Sequence, residues 1–181
     1  MQSKQAVRRI VKERLSAMTA EDKAEKDKRL ATRFLSSPEY AAARTIFIYY
    51  SDDHEADTHA ILDRAFADGK RVFLPRTVGD DMYLVPFRQG EPLAVGCFVG
   101  VLEPQGVATD EVPDLAVIPL VAFDRSRARL GRGKGYYDRF LDSYGGTSLA
   151  LAYAEQEADL VPTDGFDRRP DVILTDKERI E

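Results

Sequence analysis

Thr45-Ile46-Phe47-Ile48-Tyr49-Tyr50 is an unbroken β-branched and aromatic run, the composition of a strand covered on both faces rather than on one. Strands buried in this way belong to parallel sheets, whose members are joined by crossovers long enough to carry a helix. The sequence supplies one directly downstream. Asp57 and Thr58 can cap a helix bearing Ile61, Leu62, Ala65 and Phe66, which ends near Gly69 and leads into Val72-Phe73-Leu74. The spacing therefore predicts a β-α-β unit and places the chain in the α/β class.

Working outward towards the amino end, Val7, Ile10, Val11, Leu15 and Met18 recur near the helical period, with Lys4, Arg8, Lys12 and Glu13 mainly on other faces. Thr19 and Asp22, three positions apart, resemble a capping box that opens a second helix carrying Leu30, Phe34 and Leu35. Two helices are thus expected before the first strand. Towards the carboxyl end, Met82-Tyr83-Leu84-Val85 reads as a strand. The stretch containing Pro86, Gly90, Pro92, Gly96, Gly100, Pro104 and Gly106 reads as a structured loop. Leu115-Ala116-Val117-Ile118 is a further buried strand, followed by a basic glycine-rich turn and a helix from about Gly135 to Tyr144. Leu149-Ala150-Leu151-Ala152 and Val172-Ile173-Leu174 supply late strands. The expected architecture is one domain over residues 1–181, a mostly parallel sheet between helical layers, with no internal repeat or interdomain linker.

Composition narrows the function. A formal charge of −5 and a pI near 5.2 give no overall positive field for nucleic acid or an anionic membrane, so any basic patch must be local. Cys97 is the only cysteine, which excludes an intramolecular disulfide framework and a zinc site built on several thiolates, and fits a reducing compartment. The amino end is charged from Lys4 onward and no apolar run approaches the roughly 20 residues that span a bilayer. A cytoplasmic, monomeric protein is expected, with small-molecule partners and neither nucleic acid nor membrane.

The chemistry concentrates between Ala122 and Phe140. Six cations fall from Arg125 to Arg139, and Gly131, Gly133 and Gly135 alternate where backbone amides can approach phosphate oxygens at the start of a helix. Arg132 offers paired donors and Lys134 a mobile point charge. Neither the Walker spacing nor the dinucleotide fingerprint is present. A flexible basic loop whose glycines serve only as turns is the competing reading.

The run Phe123-Asp124 through Arg129-Leu130-Gly131-Arg132-Gly133-Lys134-Gly135-Tyr136-Tyr137-Asp138 closely resembles the signature of 5-formyltetrahydrofolate cyclo-ligases, also called methenyltetrahydrofolate synthetases. Lys4 and Arg8, Tyr50 followed by Glu55-Ala56-Asp57-Thr58, Leu74-Pro75-Arg76, Glu103-Pro104, and Leu149 to Tyr153 with Gln156 occur in the family's order, so the resemblance covers essentially the whole chain. It implies a single three-layer α/β/α domain of the NagB/RpiA/CoA-transferase-like kind.

The resemblance also implies roles. ATP would be bound by Lys4, Arg8 and the run Arg129, Leu130, Gly131, Arg132, Gly133, Lys134, Gly135, Tyr136 and Tyr137, with Arg132 and Lys134 catalytic. Tyr50, Glu55, Arg132, Gly133, Lys134, Gly135 and Tyr136 would border the folate, Glu55 accepting hydrogen bonds from the pterin. Mg²⁺ would be held by Asp138 and Asp167, with Asp171 as the alternative to the second. Many relatives carry histidine immediately before that acid, where this chain has Phe166.

Plainer readings stand beside several of these. Lys4 and Arg8 share a helix face as any two solvated cations do, Glu55 suits a helix entry, Tyr50 suits a core, and Arg76 suits pairing with a carboxylate. His54 and His59 are assigned no role. The implied activity is ATP-dependent closure of 5-formyltetrahydrofolate to 5,10-methenyltetrahydrofolate. A diverged ATP-dependent ligase for another small substrate and a noncatalytic folate- or nucleotide-binding protein are the alternatives.

Overall fold

The computed structural model describes residues 2–96 and 101–181; Cys97 and Gly100, named above, lie outside the described residues. The quoted run forms β1 (Thr45–Ile48), ending two residues earlier than the composition suggests. Its residues alternate between two cores: Ile46 and Ile48 face one side of the sheet and Phe47 the other, all 1% exposed or less. That is why no polar residue interrupts it.

Before β1 the chain forms α1 (Lys4–Ser16), α2 (Ala20–Leu35) and α3 (Pro38–Ala42), three helices where two were expected. The third is a single turn opened by Ser37 and Pro38, too short to show a period. The capping box is present: Thr19 accepts from the Asp22 N–H and the Asp22 carboxylate accepts from the Thr19 N–H. After β1 comes α4 (His59–Ala67), whose N-cap Thr58 makes no capping bond. Its hydroxyl instead donates to the Tyr49 carbonyl at 2.9 Å and accepts from the Ser51 N–H at 3.1 Å, stitching the end of β1 to the helix entry.

β2 (Arg71–Val78) is longer than expected because it forms a hairpin with β3 (Asp81–Phe87). The glycine- and proline-rich stretch read as a loop contains two three-residue strands, β4 (Leu93–Val95) and β5 (Leu102–Pro104), paired antiparallel. Then follow β6 (Leu115–Ile118), a small ribbon of β7 (Ala122–Phe123) and β8 (Arg129–Leu130), and α5 (Tyr136–Ser143). β9 (Thr147–Ala152), a 3₁₀ turn (Ala154–Gln156), β10 (Val172–Thr175) and β11 (Arg179–Ile180) complete the chain.

The main sheet has the order β11-β10-β9-β6-β1-β2-β3. Its five inner strands run parallel, and β3 and β11 close the two edges antiparallel. Helices α2, α3 and α4 cover the face of Ile46 and Ile48, and α5 covers the face of Phe47 through Tyr137, Phe140, Leu141 and Tyr144. The fold is therefore three-layer α/β/α with a mostly parallel sheet. Helix α1 buries Val7 and Val11 against Ala122, Ala128 and Leu130 of the β7–β8 ribbon, which brings the start of the chain over the basic loop. Successive parallel strands run outward on opposite sides of the β1–β6 pair, and such a reversal opens a crevice at the strands' carboxyl ends. Among the described residues no helix is long and apolar enough to cross a membrane.

Candidate active site

The crevice is built from two loops. One leaves β1 through Ser51 to Asp57 and the other leaves β8 through Gly131 to Gly135. In the second loop Gly133 has φ +102° and Gly135 φ +70°, conformations an L side chain rarely adopts. A Cβ at Gly133 would stand 3.3 Å from Arg8 Nη2, so the guanidinium lies directly against the bare backbone. Arg8 Nε also donates to the Gly131 carbonyl at 2.9 Å. The predicted face of α1 thus meets the predicted loop. The first-turn amides of α5 open from Gly135, which caps the helix with no side chain of its own, an arrangement suited to an anion.

The loop is pinned from below. Arg139 donates to the Lys134 carbonyl at 3.0 Å and the Asp80 carbonyl at 2.5 Å, while the Tyr136 hydroxyl donates to the Gly79 carbonyl at 2.6 Å. The β2–β3 turn therefore braces the glycine loop, a support that spacing alone does not reveal. Lys134 and Arg132 are exposed at the loop's crest. Arg129, by contrast, is 3% exposed and pairs with Asp138 Oδ1 at 2.7 Å; its buried Nε has no acceptor among the described residues.

Asp138 and Asp167 are brought to the same side. Asp138 Oδ1 also accepts the Arg168 N–H at 3.0 Å, so the residue after Asp167 is tied to it. Lys4 Nζ stands 2.6 Å from Asp167 and 2.9 Å from Asp164. Burial disfavours this ammonium, yet the two carboxylates outweigh it and raise its pKa. Asp164 carries no signal of its own beyond lying three residues before Asp167. Among the described residues no three histidine, cysteine, aspartate or glutamate side chains form a ready metal cluster. Two hard carboxylates beside the glycine loop, each paired with a cation that phosphate oxygens could draw away (Asp138 with Arg129, Asp167 with Lys4), nevertheless fit Mg²⁺, which takes one or two carboxylates and completes its shell with phosphate and water. Asp171 is not with them: its carboxylate binds the Ser148 N–H at 2.8 Å and hydroxyl at 2.7 Å, beside the first residues of β9 and so at the opposite end of the sheet.

The loop after β1 presents carboxylates to the same crevice. Glu55 Oε1 lies 3.1 Å and Asp52 Oδ2 2.5 Å from one atom, Arg132 Nη2. Burial pushes the Glu55 carboxyl up to about 7; Arg132 works against the rise and the Asp52 charge adds to it. Burial disfavours the Arg132 cation, but Glu55 and Asp52 outweigh it and raise its pKa. Beneath the loop, the Tyr153 hydroxyl lies 2.5 Å from Asp27 and 3.1 Å from the Glu55 carbonyl. Tyr50 is partly exposed and meets the His59 ring edge-on at 4.5 Å; His59 itself is held by Asp57 at 2.5 Å. Arg76 lies apart from these carboxylates and donates to the Gly106 carbonyl at 2.6 Å. The exposed Phe166 carries its backbone amide to Asp164 at 3.0 Å.

Comparison with known proteins agrees over the full length. Residues 1–176 match the model of the 5-formyltetrahydrofolate cyclo-ligase family. The 5-formyltetrahydrofolate cyclo-ligase of Escherichia coli K12 is 31% identical over 177 residues, covering 92% of this chain and 96% of the relative. That of Mus musculus is 28% identical over 191 residues, covering 95% and 93%. Among solved structures, Aquifex aeolicus 5,10-methenyltetrahydrofolate synthetase superposes with a TM-score of 0.85 at 28% identity, covering 98% of this chain and 91% of that one. The Mycoplasma pneumoniae 5,10-methenyltetrahydrofolate synthetase shares the fold, with a TM-score of 0.77 at 23% identity over 97% of this chain and 99% of that one.

Proposed function

The chain belongs to the 5-formyltetrahydrofolate cyclo-ligase family, and we propose that the crevice between the two loops is where it holds ATP and the reduced folate side by side. It is a ligase that uses ATP to convert 5-formyltetrahydrofolate to 5,10-methenyltetrahydrofolate. In this reading Lys4, Arg8, buried Arg129 and the amides of Leu130 to Tyr137 take the triphosphate. Glu55 accepts hydrogen bonds from the aminopyrimidinone edge, Tyr50 borders the ring, and Arg132, Gly133, Lys134, Gly135 and Tyr136 line the boundary between the two ligands. Asp138 and Asp167 would hold Mg²⁺, which would supply neutralisation of phosphate charge. The whole chain acts as one domain, a monomer in the cytoplasm, with small molecules as its partners.

The chemical problem is that an amide oxygen leaves poorly. Transfer of the γ-phosphoryl group to the N5-formyl oxygen breaks the bond to ADP and makes that oxygen part of a good leaving group. N10 then attacks the formyl carbon, loses its proton, and phosphate departs as the five-membered ring closes. No covalent nucleophile on the protein is needed; alignment and charge neutralisation carry the rate. Lys134 and Arg132 meet the charge on the transferring group.

The observation that carries this reading is Arg132: it belongs to the glycine loop, yet its Nη2 rests on Asp52 and Glu55 of the other loop. The phosphate-binding backbone and the ring-binding carboxylate are therefore one side chain apart. Mixing the protein with ATP, Mg²⁺ and 5-formyltetrahydrofolate and following methenyltetrahydrofolate absorbance tests the assignment. Product formed in proportion to ADP supports it. Binding of both ligands without turnover would leave only a binding protein.

A further inference from the structure

We propose that Asp52 is a positioning residue of this enzyme, holding the Arg132 guanidinium at the junction of the two subsites when the folate ring takes Glu55. The inference rests on the folate and ATP assignments above. Arg132 has two anchors, Asp52 Oδ2 at 2.5 Å and Glu55 Oε1 at 3.1 Å. A pterin that presents adjacent N–H donors to the Glu55 carboxylate competes with Arg132 for the same oxygens. Once the ring is bound, Asp52 is the anchor that remains.

The Asp52 carboxylate is built to stay in place. Its Oδ1 accepts the His54 N–H at 2.9 Å, its own N–H donates to Glu55 Oε2 at 3.1 Å, and its carbonyl accepts the Glu55 N–H at 3.2 Å. These bonds close a tight turn that leaves Oδ2 pointing to Arg132. An arginine on an exposed glycine-rich crest has many rotamers, and fixing one of them before the phosphoryl group arrives removes that cost from the reaction step. The short, charge-assisted contact is the means. Neither composition nor motif marks Asp52; it lies three residues before Glu55 and becomes visible only when the two loops are seen together.

The test is a double-mutant cycle with a second, independent readout. Asp52→Asn keeps the turn's size and some of its hydrogen bonding while removing the charge. Its turnover is expected to fall roughly 10- to 100-fold, the range a small misplacement of a reacting group produces, with thermal stability unchanged and with partial recovery in Asp52→Glu. In an Arg132→Lys background the same change should cost less than about threefold, because the group it positions is gone. Equal factors in both backgrounds would overturn the proposal, as would an Asp52→Asn enzyme with unchanged or faster turnover.

The second readout is the pH dependence of folate binding measured without nucleotide. Glu55 faces Arg132, Asp52 and the phenols of Tyr49 and Tyr137. Removing the Asp52 charge moves the binding inflection below its wild-type position, and an unmoved inflection would count against the contact. A wild-type protein that makes no product fails the functional reading itself; product with independent factors fails only this inference.

Discussion

Glu55, the proposed partner of the folate ring, is the side chain on which protonation and binding are most directly linked. Its folded-state value of about 7 lies above the ~4.3 of an unfolded glutamate. The proton it binds therefore favours the folded protein fully below about pH 4, and that contribution is lost as pH rises through 7. A ring that donates N–H groups prefers the ionised form, so folate affinity rises with pH across the same interval and binding releases a proton near pH 7. Isothermal titration in buffers of different ionisation enthalpy measures that proton directly. Glu55→Gln should weaken folate binding by roughly 10-fold or more and flatten the pH dependence near 7; a retained inflection would assign it to another group. Lys134→Ala is expected to lower kcat about 100-fold or more with folate affinity little changed, since its proposed role is confined to charge that develops on the transferring phosphoryl group. Single-turnover kinetics separates the two.

Not all of this residue-level pattern was open to inspection of the sequence. The glycine loop left a one-dimensional trace in its alternating glycines, whereas Lys4 and Arg8 share a helix face as any two solvated cations do and were singled out by the family resemblance. Asp52, Asp164 and Arg139 left none. Their contacts lie 80, 160 and 59 residues away, on Arg132, Lys4 and the Asp80 carbonyl, and a charged residue in a loop or on a helix looks in the sequence like any other solvated charge.

At the scale of elements, the glycine loop and α1 act as one unit. Gly133→Ala forces a Cβ into a backbone at φ +102° and to 3.3 Å from Arg8 Nη2. The strain is of order 1–3 kcal/mol, and the displaced guanidinium sits where ATP is proposed to bind. KM for ATP should therefore rise roughly 10-fold while folate affinity holds. Thr19→Ala is the contrasting change. It removes a capping box remote from the crevice, costs about 1 kcal/mol and lowers Tm by ~2–4 °C, with turnover at low temperature unaffected. Differential scanning calorimetry beside the absorbance assay distinguishes a loss of stability from a loss of site. The buried strands β1, β6, β9 and β10 and the helices α1, α2, α4 and α5 were readable because their apolar residues exceed a turn or alternate between two cores. The single-turn α3, the three-residue β4 and β5 and the two-residue β11 carry too few residues to show a period. The direction of β3 was hidden because alternation is the same in parallel and antiparallel strands.

For the whole molecule, the crevice between β1 and β6 links ligand binding to global stability. Ligand that binds only the folded state stabilises it by about 2.7 kcal/mol at 100 times its dissociation constant, roughly 5–10 °C in Tm for a chain of this size. ATP with Mg²⁺ and folate together should exceed the sum of their separate shifts if Arg132 is shared between them, and thermal melts with a nonhydrolysable nucleotide measure this.

The ion pair between Lys4 and Asp167 spans 163 positions of the chain, and Arg8 reaches the Gly131 carbonyl across 123. A polypeptide still emerging from the ribosome therefore carries Lys4 and Arg8 long before the residues they grip exist. If this is where ATP is held, as proposed, the grip closes only when synthesis is nearly finished.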